Sequence, residues 1–128
     1  AVGYASAVLN IRGTVLPSTL DHIQLTAEFE DGSTGTGETE IGGSSKPIEH
    51  LRLQPPDCRP HPKALEAIRQ ANLICIGPGS VFTSVIPNLL VPEITEAILA
   101  SPAPKVYICN VMTQPGESDG MSASEHAT

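Results

Sequence analysis

The sequence predicts an α/β fold in which a β-rich beginning is followed by a parallel strand-helix-strand unit, and three observations carry that reading. Apolar and polar residues alternate with period two across residues 22–30. Apolar residues recur at helical spacing after Pro62 and again after Pro92. Short continuous apolar runs follow, at residues 73–76 and 105–111. At 128 residues the chain has room for one domain, which would bury roughly two-thirds of its unfolded surface. Residues 1–54 read as the β-rich segment and residues 61–128 as the strand-helix-strand half. Apolar content of 40% is that of a globular protein, and 12 Pro with 11 Gly imply many turns.

The first strand is expected over residues 22–30, with one face buried. Asp31-Gly32 is a hairpin signal, and residues 34–41 read as a Gly- and Thr-rich second strand ending in the loop Gly42-Gly43-Ser44-Ser45. A third strand is expected over residues 48–53, where Leu51 and Leu53 alternate with His50 and Arg52, and Pro55 stops it. Pro62 then opens an amphipathic helix with Ala64, Leu65, Ile68 and Ala71 on one face. Residues 73–76 are expected as a parallel strand covered on both faces. A helix from Pro92 with Ile94, Ala97 and Ile98 on one face leads into a second buried strand over residues 105–111. A right-handed crossover would put the loops 77–84 and 112–120 at the carboxyl ends of two parallel strands, where open α/β sheets bind ligands. Near the end, Ser122 reads as an N-cap with Glu125 as its capping-box partner, and the helix so announced suggests a chain cut from something longer.

A net charge of −7, with seven scattered basic residues, argues against binding duplex nucleic acid or anionic lipid. No apolar run reaches the roughly 20 residues of a membrane span and no leader-like segment opens the chain, so a cytoplasmic home is expected. Cys75 and Cys109 sit in apolar runs and are expected to be buried reduced thiols, whereas Cys58, in a Pro-rich stretch, is expected to be exposed. His22, His50, His61 and His126 are not spaced for zinc, and only His126 falls near the expected crevice. No nucleophile elbow or Cys-His pair is visible, so no catalytic residue is assigned.

Two segments have ligand-binding chemistry. In Gly77-Pro78-Gly79-Ser80-Val81-Phe82-Thr83-Ser84, two glycines after a strand would let backbone N–H groups approach a phosphate, with Ser80, Thr83 and Ser84 as hydroxyl donors. A tight strand-to-helix turn explains the same residues. Asn110, Thr113, Gln114, Gly116 and Glu117 bring amide, hydroxyl and carboxylate groups to the next strand end, suited to a base or sugar edge and equally to a surface turn. Glu117 and Asp119 could pair for acid-base work or magnesium, or be solvated acids.

The stretches Gly77-Pro78-Gly79-Ser80-Val81-Phe82-Thr83-Ser84-Val85-Ile86-Pro87-Asn88-Leu89-Leu90 and Asn110-Val111-Met112-Thr113-Gln114-Pro115-Gly116-Glu117, together with Asn10-Ile11-Arg12-Gly13-Thr14-Val15-Leu16-Pro17 and the stretch from Asp31-Gly32 to Gly37-Glu38-Thr39-Glu40-Ile41, resemble the gluconeogenesis-factor family in the same order. The resemblance covers essentially the whole chain. It implies a central fragment of a Rossmann-like three-layer sandwich, a larger domain that binds UDP-sugars such as UDP-N-acetylglucosamine. It also implies a regulatory role in cell shape during gluconeogenic growth, with homo-oligomers and regulatory protein partners within its range. Under it the ligand-binding set is Gly77, Gly79, Ser80, Thr83, Ser84, Asn110, Thr113, Gln114, Gly116 and Glu117, with no metal. The related branch, 2-phospho-L-lactate transferase of coenzyme F420 synthesis, is the alternative, and magnesium enters only there. That enzyme usually has a Gly-Pro-Ser-Asn turn where this chain has Gly77-Pro78-Gly79-Ser80, which favours the binding branch. A crevice used for docking another protein is a third reading. The family's opening glycine-rich nucleotide loop and its Asp-Asp-Gly-Gly-Ser segment do not occur in this sequence.

Overall fold

The computed structural model describes residues 13–115 and 118–125. Strand β1, Gln24–Phe29, forms where the period-two pattern predicts it and is the middle of a three-stranded antiparallel sheet of order β2-β1-β3. Its partners are β2, Thr34–Thr36, and β3, Ile48–Gln54. The hairpin at Asp31 is held by its own side chain, because Asp31 Oδ1 accepts from the Ser33 N–H (2.9 Å) and Lys46 Nζ lies 2.8 Å from Asp31 Oδ2.

The second strand is shorter than residues 34–41. Gly37, at φ +81°, ends it, and Glu38–Gly42 forms a short helix, α1. The Glu40 carboxylate accepts from the Thr36 N–H (2.9 Å), which draws the helix back over the strand end. This turn delivers Ile41 onto Ala27 and Phe29, forming the first core cluster.

Helix α2, Pro62–Gln70, starts with proline in its first turn, and its N-cap His61 accepts from the Lys63 N–H through Nδ1 (3.1 Å), so this histidine has a structural role. Strand β4, Ile74–Ile76, pairs in parallel with β5, Lys105–Tyr107, across helix α4, Pro92–Ala100. The second core cluster joins Leu53 of β3, Cys58, Leu65 of α2, and Val91, Ile94 and Ala97 at α4. Leu25 packs against both clusters.

Two expectations about this half are corrected. The apolar run 105–111 is a strand only to Tyr107, because the Ile108 N–H makes a last bond to Ile76 O (2.8 Å) and the chain then leaves the sheet. The strands are not covered on both faces: Ile74 is buried, but Leu73 is 52% and Val106 45% exposed, and Val111 is fully exposed. With α2 and α4 packed together beside the core cluster, the alternate side chains of this two-stranded sheet face outward.

Two of the three cysteines reverse the expectation, Cys75 because its strand is uncovered and Cys58 because its stretch is folded inward. Cys75 is exposed on β4 and Cys109 half-buried, whereas Cys58 is buried in the second core. The Pro-rich stretch is folded inward by Asp21, whose carboxylate accepts from the Arg59 N–H (2.7 Å), and burial pushes the Cys58 thiol up. No disulfide joins the three.

At the Ser122 turn, the Glu125 carboxylate accepts from the Ser122 N–H (2.7 Å), one of the two bonds of the expected capping box, and the Glu125 N–H donates to Ser122 O (3.1 Å). His126 lies outside the described residues. Among the described residues no single helix is long and apolar enough to cross a membrane.

Candidate functional site

The chain leaves β4 at Ile76 into a turn that only glycine can begin. Gly77 has φ +84°, and a Cβ there would lie 2.8 Å from Ile108 O, the backbone leaving the neighbouring strand. The Gly77-Pro78 peptide is cis. Ser80 then caps a π-helical turn, Val81–Val85, which runs into a further helical turn, α3, Ile86–Leu89. The segment read as a loop over 77–84 is thus a tight turn followed by helix.

Two of its three hydroxyls, those of Ser80 and Thr83, bond each other. Ser80 Oγ accepts from the Thr83 N–H (3.1 Å) and from Thr83 Oγ1 (2.7 Å). Ser80 O accepts from the N–H groups of Ser84 (3.0 Å) and Val85 (2.9 Å). Ser84 is exposed, and its carbonyl accepts from Asn88 Nδ2 (2.7 Å). Asn88 Oδ1 in turn takes a hydrogen bond from the Ser18 hydroxyl. Sequence reading missed Asn88 and Ser18. Asn88 stands four residues after Ser84, the helical spacing that could have shown it, but Ser18 comes from 70 residues away and has no such signal.

The second loop lies directly against the first. Asn110 Nδ2 donates to Gly79 O (2.8 Å), and the Gly79 N–H donates to Asn110 Oδ1 (3.4 Å). Asn110 Nδ2 also reaches Gln114 Oε1 (3.5 Å). Gln114 is held at its backbone by Ser118, whose Oγ accepts from the Gln114 N–H (2.9 Å) and whose own N–H donates to Gln114 O (2.9 Å). Ser118 is 1% exposed, which makes it the buried anchor of this loop and another residue the sequence did not single out. Thr113 is exposed. Gly116 and Glu117 lie outside the described residues, so the Glu117–Asp119 pairing is not described.

The structure therefore brings Gly77, Gly79, Ser80, Thr83, Ser84, Asn110 and Gln114 to one end of the parallel pair. Beside them a cavity of about 640 Å³ opens, bordered by Gly77, Pro78, Ser84 and Asn88 and walled by apolar residues such as Ile68 and Ile76. That volume is within the range of roughly 300–1,000 Å³ usual for small-molecule sites. Neither 77–84 nor 110–120 contains Lys or Arg, so any anion held there would be met by N–H and hydroxyl dipoles. No cluster of three or more metal-ligating side chains occurs among the described residues.

Two parallel strands whose end loops are hydrogen-bonded to each other, the first of them bordering a cavity, define an α/β protein of Rossmann-like type. The chain belongs to the 2-phospho-L-lactate transferase CofD family, whose model matches residues 1–128. Within that family it is similar to proteins named gluconeogenesis factor. The one from Halalkalibacterium halodurans is 57% identical over 94% of this chain and 38% of that protein, and the one from Bacillus subtilis is 49% identical over 98% of this chain and 40% of that protein. A crystal structure of a UPF0052 family member from Bacillus halodurans matches with TM-score 0.89 and 55% identity, covering 98% of this chain and 41% of that one. The chain thus spans about two-fifths of the length of these relatives.

Proposed function

We propose that this chain supplies part of a UDP-sugar site in a gluconeogenesis factor, a cytoplasmic regulatory protein of cell shape during gluconeogenic growth, with UDP-N-acetylglucosamine as ligand. The observation that carries the reading is the joining of the glycine turn to the amide-bearing loop at Gly79 and Asn110, in a chain 57% identical to a protein of that name. The glycine turn and the helical turn after it would meet the diphosphate through backbone N–H groups, with Ser80, Thr83 and Ser84 around it. Thr113 and Gln114 would face the sugar or base. Gly116 and Glu117 belong to the same proposed set.

The test is a dye-reported thermal melt with UDP-N-acetylglucosamine and with guanosine diphosphate as control. Ligand at about a hundred times its dissociation constant adds roughly 2.7 kcal/mol, so the expected result is a higher midpoint with the UDP-sugar alone. Equal midpoints with and without it would remove the UDP-sugar reading for this chain. The name of the matching family favours a second reading, a phosphorus-group transferase acting on a guanosine donor with a divalent cation. Turnover of lactyl diphosphoguanosine on a deazaflavin acceptor would establish that reading instead.

A further inference from the structure

We infer that Asn110 is a positioning residue, which locks the glycine turn and the amide-bearing loop into one binding unit, and that it does not itself touch the ligand. Its test by ligand rests on the UDP-sugar reading above; its test by exchange does not. The side chain is half-buried, and both ends of its amide are committed to the backbone of one residue: Oδ1 accepts from the Gly79 N–H (3.4 Å) and Nδ2 donates to Gly79 O (2.8 Å). A primary amide has two donor hydrogens, and the second points to the Gln114 side-chain oxygen at 3.5 Å.

The backbone around these bonds leaves little freedom. Gly77 is pressed against Ile108 O, where a Cβ would stand at 2.8 Å, and a Cβ on Gly79 would stand 3.1 Å from Ser84 Cβ. The strand end at residues 108–110 therefore grips the turn at two points, by contact at Gly77 and by hydrogen bonds at Gly79. An Asn at position 110 fits this task because its amide mimics a peptide group, with one donor and one acceptor at the spacing of a backbone pair. A residue so placed governs where the turn's N–H groups stand relative to Gln114, and so acts on ligand through geometry.

The experiment compares the wild-type protein with Asn110→Ala, Gln114→Ala, Gly79→Ala and the Asn110→Ala/Gly79→Ala double variant. Three readouts are taken: the melting midpoint, amide exchange at Gly79 by NMR, and affinity for both UDP-N-acetylglucosamine and UDP. Expected for Asn110→Ala is Gly79 exchange about tenfold faster with global melting retained. Affinity should fall by about tenfold for both ligands alike, and the loss should not add to that of Gly79→Ala because both disturb the same turn. Gln114→Ala, by contrast, should weaken the UDP-sugar more than UDP.

Unchanged Gly79 exchange, a loss confined to the UDP-sugar, or losses that add would each overturn the positioning role. Should the wild-type protein bind neither nucleotide, the proposed ligand falls, while Gly79 exchange still decides whether Asn110 joins the loops. Asn110→Ser, which shortens the side chain and cannot reach both groups, replaces alanine if that variant does not fold.

Discussion

The two sheets of this chain are built to different degrees of self-sufficiency. The antiparallel sheet β2-β1-β3 carries its own cover: Ile41 on α1 closes over Ala27 and Phe29, leaving the three at 1%, 2% and 4% exposure. The parallel pair β4-β5 buries Ile74 but leaves Cys75 exposed and Val106 at 45% exposure. A hairpin brings its partners from nearby in sequence, so one short helix after β2 suffices to seal it. A parallel pair must be covered by elements from elsewhere on both faces, and here α2 and α4 belong to one core cluster only. Within these 128 residues, about two-fifths of the relatives' length, cover separates the two regions more than strand propensity does.

That contrast can be broken by mutation. Phe29→Ala should cost about 3–5 kcal/mol, because it empties a closed core, whereas Val106→Ala should cost under about 1 kcal/mol in the same 128-residue chain. Denaturant midpoints at unchanged slope would measure both, and comparable losses would show that the parallel pair is better covered than its exposure suggests.

Thiol chemistry sharpens the comparison next. In the native protein Cys75 should react first with an alkylating reagent and Cys58 only on unfolding, since Cys58 is 4% exposed and its thiol is held above its ordinary range by burial. Peptide mass analysis of a labelling time course reads the order directly.

The smallest effect is electrostatic and belongs to the first sheet. Asp31 is held well below the ordinary carboxylate range by its hydrogen bond from Lys46, then by those from the Ser33 hydroxyl and N–H. A carboxyl depressed on folding gives stability that is present above its unfolded pKa of about 3.9 and is lost as pH falls below that value. Asp31→Asn should therefore lower the midpoint by a small, nearly constant amount above about pH 4, and the difference from the wild-type protein should close as pH falls below that value. Both groups are about half exposed, so the change should be small and weaken with salt.

The sequence announced the elements whose cause is local. Strand β1 showed through its alternation, and α2 and α4 through proline in the first turn followed by apolar residues at helical spacing. It did not announce α1, whose five residues depend on Gly37 turning the chain and on Glu40 reaching back to Thr36. The cysteine burial was misread because it follows from a clip between Asp21 and Arg59, 38 residues apart, which no window of sequence contains. At the candidate site, residue chemistry and the approach of the two loops were legible, since parallel pairing of β4 and β5 puts both strand ends together. The use of each side chain was not. Ser80 and Thr83 bond each other, and Asn110 bonds Gly79, because groups placed side by side satisfy one another.

The clip at residues 18–21 reaches further than the cysteine it buries. The His61 N–H donates to Ser18 O (2.8 Å), Thr19 pairs with Pro60, and Arg59 is tied to Asp21, all just before α2 begins. Leu25 and Leu53, meanwhile, carry the first sheet's apolar contacts into the second cluster. The connecting segment is thus a buckle and not a tether, so the two halves should melt in a single cooperative transition, with calorimetric and van't Hoff enthalpies in agreement.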